Sequence, residues 1–225
     1  MNIKLVVFDM AGTTVDEDNI VYKTVHKAIN EAGFNVSLKQ VLAEGAGKEK
    51  LQAIKSVLST YANTTNDVLA EKIYNNFIVQ LKEAYTTQDL FPQPHATEVF
   101  AGLKEKNILT VLNTGYDKPT AEQILNKLGW KEGETFDGLV TATDVAKNRP
   151  DPDMILLAMK RFGVEDSHAV AKVGDSAIDI EEGQNANCGL SIGITTGAHT
   201  PEQLQAANPD YIIDDLIELL PIIAG

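Results

Sequence analysis

Short apolar runs recur along the chain, and most of them alternate with amphipathic stretches of helical length. Each run is rich in aliphatic and β-branched residues and has the length of a buried strand rather than that of a helix. The runs cover residues 3–8, 108–113, 139–144, 168–175, 190–195 and 211–216. Strands that alternate with helices predict an α/β fold, with a doubly wound parallel sheet and right-handed crossovers.

The stretch that follows the first apolar run has helical periodicity only. Ser37 is placed to cap one of its helices. Because this helical block separates the first strand from all the others, we expect it to be an insertion. The predicted organisation is an α/β core made of residues 1–15 and 85–225, with a helical cap domain at residues 16–84.

The charge balance argues against two classes of partner. The chain of 225 residues carries a net charge of −13. A surface that acidic repels phosphate backbones and anionic lipid headgroups, so we expect neither nucleic acid nor a membrane as a partner. An acidic protein can still bind an anionic metabolite, provided that a metal ion and a local cationic pocket compensate for the charge.

Other features bear on where the protein works and in what form. The single cysteine, Cys188, cannot form an internal disulfide, which favours a reducing, cytoplasmic location. The apolar run at residues 3–8 is too short for a signal peptide and leads directly into Asp9. An exposed apolar face on the helical segment would support a homodimer, although no residue pattern demands one.

Reactive side chains stand at the ends of the predicted strands. Asp9 ends the first strand, Thr114 the second and Asp175 the fourth. Lys147 and Arg149, two candidate cations, follow the third. Ligands bind at the carboxyl ends of parallel strands, so we expect two carboxylates, a hydroxyl and a cation at one edge of the sheet. Two carboxylates suit Mg²⁺, and a carboxylate beside that metal can attack a phosphorus atom and form an acyl phosphate.

Four stretches of the sequence point to a known family. They are FDMAGTTVD, LNTGY, NRPDP and VGDSAIDIEEG, and they resemble, in this order, the four signature motifs of the haloacid dehalogenase superfamily. The resemblance extends over nearly the whole chain, including the helical insertion after the first strand. It implies a Rossmannoid core with a cap, and a Mg²⁺-dependent hydrolase that forms an aspartyl phosphate.

The resemblance also implies roles for individual residues. Asp9 would be the nucleophile, Thr114 would hydrogen-bond the phosphoryl oxygens, and Arg149 would supply the cation of the third motif. Lys147 stays open as an alternative to Arg149, which is preferred because a proline follows it. The implied ligands of Mg²⁺ or of its waters are Asp9, the backbone carbonyl of Ala11, Asp175 and Asp179. The implied phosphate-binding residues are Gly12, Thr13, Gly115 and Tyr116.

One departure from the superfamily pattern indicates which branch of the superfamily the sequence resembles. Most phosphatases of the superfamily have a second aspartate two positions after the nucleophile. This chain has Ala11 there, which can neither protonate a leaving group nor activate water. The alanine, the RPDP of the third motif and Tyr116 all resemble the phosphonatase branch. Enzymes of that branch cleave a C–P bond after a lysine of the cap forms a Schiff base with an aldehyde.

In that branch the lysine lies in a G-x-x-K pattern, which Gly47 to Lys50 match. Lys50 would then form the imine. The alternatives are a lysine that merely starts a helix, or a general specificity cation. Ala46, Ala53 and Asn19 stand where the branch has methionine, histidine and cysteine, so the substrate can differ from that of the branch.

These observations predict a small phosphonate or phosphorylated metabolite as the substrate. Two alternatives stay open. One is an ordinary small-molecule phosphatase that resembles phosphoglycolate phosphatase, and the other is a phosphate-binding relative with impaired catalysis.

Overall fold

A six-stranded parallel sheet forms the centre of the fold. The computed structural model of the protein describes residues 2–224. Its strands are β1 (Leu5–Asp9), β4 (Leu109–Thr114), β5 (Gly138–Thr141), β6 (Val170–Gly174), β7 (Leu190–Ile194) and β8 (Tyr211–Ile213). Two further short strands, β2 (Val15–Asp16) and β3 (Phe91–Pro92), lie outside this sheet. The order in the sheet is β5–β4–β1–β6–β7–β8, and all neighbouring pairs are parallel. The predicted doubly wound α/β core is therefore confirmed.

Helices cover both faces of the sheet and fill the segment between β2 and β3. They are α1 (Ile20–Glu31), α2 (Leu38–Gly45), α3 (Lys50–Ala62), α4 (Asp67–Thr87), α5 (Ala96–Glu105), α6 (Lys118–Leu128), α7 (Asp153–Phe162), α8 (Ala177–Asn185), α9 (Pro201–Ala206) and α10 (Leu219–Ala224). Helix α7 packs against β1, β4 and β5, and α5 packs against β4. No helix within residues 2–224 has both the length and the apolar character needed to cross a membrane.

Strand β1 places the first candidate residue at the edge of the sheet. All its residues are buried, and successive side chains enter opposite layers. Leu5 and Val7 pack into the layer of α7, whereas Phe8 packs edge-on against Phe100 of α5, with the ring centroids 5.4 Å apart. A shift of one residue would draw Asp9 into an apolar layer, so the strand fixes Asp9 at its carboxyl end.

The predicted strand 139–144 is too long. The strand ends at Thr141, and residues 142–144 form a 3-10 turn. Thr141 and Asp144 accept hydrogen bonds from each other's backbone N–H groups in a capping box, which gives these groups partners outside the sheet. Two other predicted strands are also shorter than expected: 168–175 is a strand only at Val170–Gly174, and 211–216 only at Tyr211–Ile213.

Helices α1 to α4 pack on one another between β2 and β3. Their fully buried side chains include Val25, Ile29, Ile54 and Phe77. Ser37 caps α2 as predicted and forms a capping box with Gln40. Helix α4 continues to Thr87, so the predicted boundary between residues 84 and 85 lies inside its last turn. The division into a cap domain and a core domain stays a prediction.

No pattern in the sequence predicts the pairing of β2 with β3. These two strands are the segments through which the chain leaves β1 for the helices and returns to the sheet, and they pair antiparallel. Beside them, the amide of Gln93 donates to the carbonyl oxygen of Thr14 at 2.9 Å. Strands of two residues are too short to show periodicity, so hydrophobic patterning cannot reveal them.

Replacing Phe77 by alanine should lower the free energy of unfolding by about 3–5 kcal/mol, because it would leave a large cavity inside the helical segment. Val79 lies on the same helix and is 68% exposed, so Val79→Ala should change the free energy by less than about 0.5 kcal/mol. Urea unfolding followed by circular dichroism measures both values. Equal effects of the two substitutions would contradict the packing of α4.

Candidate active site

Three aspartates meet at the carboxyl edge of the sheet. Asp9 ends β1, Asp175 follows β6, and Asp179 lies in the first turn of α8. One carboxylate oxygen of each lies within 4.8 Å of the other two, and all three side chains are buried. Carboxylate oxygens this close together are typical of a site for a hard divalent cation.

Two buried cations hold the carboxylates in place. Arg149 Nη1 donates to Asp9 Oδ1 at 2.7 Å and lies 3.0 Å from Asp179 Oδ1. Lys172 Nζ, from the buried strand β6, lies 3.0 Å from the same oxygen of Asp179. The structure thus places the cation of the third motif, Arg149, in contact with two of the three aspartates.

Glu182 and Asn113 in turn position these two cations. Glu182 Oε2 lies 3.0 Å from Arg149 Nε and 3.1 Å from Lys172 Nζ. Asn113 Oδ1 accepts a hydrogen bond from Lys172 Nζ at 2.7 Å and another from Arg149 Nη2 at 2.6 Å. Asn113 Nδ2 donates to both oxygens of Glu182 at 3.0 Å. Because all four side chains are buried, each charge depends on these neighbours in place of water.

These buried side chains together carry more negative than positive charge. Four carboxylates, those of the three aspartates and Glu182, face the two cations. Burial, followed by repulsion from Asp9 and Asp179, raises the pKa of Asp175 to about 8. A divalent cation fits this site, because it would offset the excess negative charge.

Asp9 and Asp179 differ in how strongly their charges are stabilised. Burial raises the pKa of Asp9, and the Arg149 guanidinium offsets this only in part. Burial acts on Asp179 in the same direction, but Arg149 and Lys172 together outweigh it and hold the pKa of Asp179 below its usual range. Asp179 is therefore a fixed anion, whereas Asp9 is the more basic carboxylate of the two.

Backbone groups approach Asp175 closely. A Cβ atom at Gly12, whose φ is +85°, would lie 2.5 Å from Asp175 Oδ2. Thr13 Oγ1 donates to Asp175 Oδ1 at 3.3 Å, and the amide of Ala198 donates to Oδ2 at 2.6 Å. The structure therefore places Gly12 and Thr13 beside the aspartates, with Ala11 half-buried next to them.

The loop before α3 lies over the end of β4. A Cβ atom at Gly115 would be 2.9 Å from the carbonyl oxygen of Lys48 in this loop. Thr114 is buried at the same edge, and its Oγ1 accepts a hydrogen bond from the amide of Tyr116 at 3.2 Å. The absence of a side chain at residue 115 lets the helical segment touch the sheet edge backbone to backbone.

Lys50 is buried at the start of α3. Its Nζ lies 5.3 Å from the ring centroid of Tyr22 and 5.2 Å from that of Tyr116, and it donates to the carbonyl oxygen of Lys48 at 2.9 Å. Burial lowers the pKa of Lys50, although the negative charge of Asp9 opposes this shift. A lower pKa favours the neutral amine, which is the form that attacks carbonyl carbon.

A buried carboxylate, Glu17, belongs to the same part of the site. It accepts hydrogen bonds from the hydroxyl of Tyr85 and, at 3.1 Å, from that of Tyr116. Burial raises the pKa of Glu17 to about 7, although both hydroxyls and Lys50 favour its ionised form. In the sequence Glu17 looks like one more acid in an acidic turn, and its partner Tyr85 is 68 residues away.

A cavity of about 220 Å³ opens beside these residues. Its lining includes Ala11, Gly12, Glu17, Asn19, Tyr22 and Gln93. The cavity borders the aspartates through Ala11 and Gly12, and it borders the surroundings of Lys50 through Glu17 and Tyr22.

Most residues predicted from the sequence gather at this edge. They are Asp9, Ala11, Gly12, Thr13, Lys50, Thr114, Gly115, Tyr116, Arg149, Asp175 and Asp179. The alternative cation, Lys147, lies at the surface with a side chain that is 69% exposed, 3.7 Å from Asp151. The residues that the sequence did not single out are Glu17, Tyr85, Asn113, Lys172 and Glu182. For Lys172 a signal existed, because a lysine inside an otherwise apolar strand needs buried partners.

Comparison with known proteins places the chain in a family. The family model for haloacid dehalogenase-like hydrolases matches residues 6–192, a range that contains all four sequence motifs. The chain belongs to this family of hydrolases.

Individual relatives align over nearly the full chain. Phosphonoacetaldehyde hydrolase of Latilactobacillus sakei is 28% identical over an alignment that covers 99% of this chain and 96% of the relative. Pyrophosphatase PpaX of Oceanobacillus iheyensis is 23% identical, with 99% and 98% covered. Among solved structures, a phosphonoacetaldehyde hydrolase-like protein from Oleispira antarctica has a TM-score of 0.85 at 24% identity, covering 100% of this chain and 92% of that one. This structural likeness supports the fold.

Glu17 should make the protein less stable as the pH rises. Its carboxyl group has a pKa of about 7 in the folded protein and an ordinary value of 4.5, so the folded state holds the proton more tightly. The stability that this proton contributes is complete below about pH 4.5 and is lost as the pH rises through about 7. At about 1.4 kcal/mol for each pH unit between the two values, the loss is about 3 kcal/mol.

Urea unfolding at about pH 5 and about pH 8 tests this dependence. Glu17→Gln keeps an acceptor for the tyrosine hydroxyls but cannot titrate, so its unfolding free energy should change less between the two pH values, by about 2–3 kcal/mol. Glu83→Gln, at an exposed position of α4, is the matched control and should behave like the native protein. An unchanged pH dependence in Glu17→Gln would rule out the raised pKa.

Proposed function

We propose that the protein is a Mg²⁺-dependent, phosphonatase-like hydrolase. It acts on a small phosphonate or phosphorylated metabolite through an aspartyl phosphate on Asp9. The observation that carries the proposal is the buried contact of Asp9 with Arg149, at 2.7 Å, at the edge where Asp175 and Asp179 also lie. A nucleophile, a cation for the phosphoryl group and ligands for a divalent metal thus converge in one site.

Mg²⁺ would be held by Asp9, Asp175 and the backbone carbonyl of Ala11, with Asp179 supporting the ion or its waters. When bound, the ion would neutralise part of the charge on the phosphoryl oxygens and on the attacking carboxylate. Ala11 would contribute only its backbone carbonyl, so the lack of a carboxylate side chain there removes no ligand.

In the first step, one oxygen of Asp9 attacks phosphorus and a bond to phosphorus forms as the leaving group departs. Arg149 favours the ionised form of Asp9, and Glu182 and Asn113 hold its guanidinium in a fixed place beside the phosphoryl group. The Thr114 hydroxyl and the backbone amides near Gly12 and Gly115 would bind the remaining phosphoryl oxygens. Water then hydrolyses the aspartyl phosphate and frees Asp9.

The leaving group supports a phosphonate as the first candidate substrate. The alanine at residue 11 provides no acid at that position to protonate a leaving oxygen. When the leaving atom is carbon, the electrons of the C–P bond need an acceptor, and an imine formed by Lys50 would provide one. Lys50 suits this task because it is buried, has a lowered pKa and is positioned between the rings of Tyr22 and Tyr116.

An ordinary small-molecule phosphatase is the second candidate. The similarity to pyrophosphatase PpaX over 99% of the chain favours it, since that relative is named for a phosphate substrate. Lys50 would then act as a fixed cation for the substrate and would form no covalent bond.

Asp9→Asn should lower turnover by at least about 10³-fold, because an amide cannot replace the carboxylate nucleophile. Release of phosphate in the presence of Mg²⁺ measures the loss, and thermal unfolding checks that the fold is kept. Asp89→Asn, at an exposed position, is the matched control and should keep native activity. Full activity of Asp9→Asn would overturn the aspartyl phosphate mechanism.

Phosphonoacetaldehyde separates the two candidate functions. If Lys50 forms an imine, Lys50→Ala should abolish phosphate release from this substrate, by about 10³-fold or more. Lys55→Ala, on the same helix and 41% exposed in its side chain, should leave the rate unchanged. The phosphatase would be favoured if the native protein hydrolyses phosphate esters but not phosphonoacetaldehyde, and if Lys50→Ala keeps its activity on phosphate esters.

A further inference from the structure

Glu17 is a buried carboxylate that the metal centre does not use. It lies between β2 and α1, is 4% exposed, and borders the cavity beside Ala11 and Gly12. The hydroxyls of Tyr85 and Tyr116 converge on it and lie 2.7 Å from each other. Burying a carboxyl group costs free energy, even with two hydrogen-bond partners. The position of Glu17 therefore points to a chemical role.

Tyr116 contacts both Glu17 and Lys50. Its hydroxyl donates to Glu17 at 3.1 Å, and the face of its ring lies 5.2 Å from Lys50 Nζ. The ionisable groups that face Glu17 come from four elements: Tyr22 from α1, Lys50 from α3, Tyr85 from α4, and Tyr116 from the loop after β4. Glu17 and Lys50 thus share Tyr116 as a neighbour, and Glu17 also lines the cavity.

Imine formation needs a proton donor at that place. When an amine condenses with a carbonyl group, the carbinolamine loses water only if its hydroxyl receives a proton. Asp9 and Asp179 contact cations, and Ala11 and Ala53 have no proton to give. Asp175 is a proposed Mg²⁺ ligand, and a carboxylate that binds a metal ion carries no proton. Tyrosine is a weak acid, and burial raises the pKa of Tyr22 and Tyr116 further.

We infer that Glu17 is the proton donor for imine formation at Lys50. This inference rests on the proposed function, because it requires the Schiff base at Lys50. It assigns to Glu17 a task that the nucleophile and the metal ligands cannot perform.

The step balances without an oxidant or reductant. The neutral amine of Lys50 adds to the carbonyl carbon, and a proton passes from nitrogen to oxygen to give the carbinolamine. Glu17 in its protonated form then gives its proton to the hydroxyl group, the C–O bond breaks and water leaves. The lone pair of nitrogen forms the C=N bond, so the product is an iminium ion beside the Glu17 carboxylate. The raised pKa of Glu17, at about 7, keeps this proton available near neutral pH.

The test is the rate at which the imine forms on Lys50. The protein is mixed with phosphonoacetaldehyde and Mg²⁺, samples are quenched with borohydride at intervals, and mass spectrometry measures the reduced adduct on Lys50. Glu17→Gln should lower this rate by about 10²-fold, the lower end of what a positioned general acid contributes. Glu83→Gln, the exposed control on α4, should keep the native rate.

The pH profile distinguishes proton transfer from a structural role. The native rate needs a neutral Lys50 and a protonated Glu17, so it should rise and then fall with pH. Glu17→Gln should lose one of these two limbs. A lower rate with both limbs intact would mean that Glu17 only shapes the site, and it would overturn the inference.

Tyr85→Phe provides a second variant that keeps Glu17. It removes one hydrogen bond that favours the ionised carboxylate, so the limb that belongs to Glu17 should move to higher pH. If neither limb moves, Glu17 is not the proton donor, even if Glu17→Gln does not fold.

The outcomes also separate this inference from the proposed function. An adduct on Lys50 that forms equally fast in native protein and in Glu17→Gln overturns the role of Glu17 and leaves the Schiff base standing. No adduct in the native protein overturns both.

Discussion

The Arg149 guanidinium is the interaction on which the geometry of the site depends. It contacts Asp9 from β1, Asn113 from β4, and Asp179 and Glu182 from α8, elements that are far apart in the sequence. Removing one partner of a buried ion pair typically costs about 3–5 kcal/mol, because the other charge is left without solvation. The carboxylates that surround the substrate therefore depend on one side chain from the loop after β5.

The site contains two neighbouring sets of polar side chains that differ in charge and surroundings. The first is the charged network of aspartates, Arg149 and Lys172, which suits a metal ion and a phosphoryl group. The second is the pair of Glu17 and Lys50, embedded among tyrosines, where burial brings both groups towards their neutral forms. We propose that the first set binds the phosphoryl group together with a divalent cation and that the second transfers a proton. The bound cation would let a protein with a net charge of −13 accept an anionic metabolite.

The sequence was most informative where chemistry coincides with the end of a strand. Asp9 and Asp175 could be found because an apolar run stops at each of them, and the topology of a parallel sheet then brings them together. The outline of the sheet followed from the same runs. Strand lengths were less accurate, because caps such as the one formed by Thr141 and Asp144 end a strand without interrupting its apolar pattern.

The supporting residues could not be found in this way. Asn113 and Glu182 are 69 residues apart, and neither position departs from an ordinary strand or helix pattern. Glu17 and Tyr85 meet only because β2 and β3 bring the two ends of the helical segment together, and strands of two residues leave no periodic signal. Hydrophobic periodicity reports which face is buried, but it does not report which polar groups meet inside.

The close approach at Gly115 makes one position a spacer between two parts of the molecule. Because the side chain of Gly115 is a hydrogen atom, the carbonyl of Lys48 can lie against the end of β4. A methyl group there would act as a wedge and set the helical segment farther from the sheet. Within one fold, the size of the side chain at residue 115 thus sets how much solvent enters between the helical segment and the sheet, and so how long an intermediate that reacts with water survives.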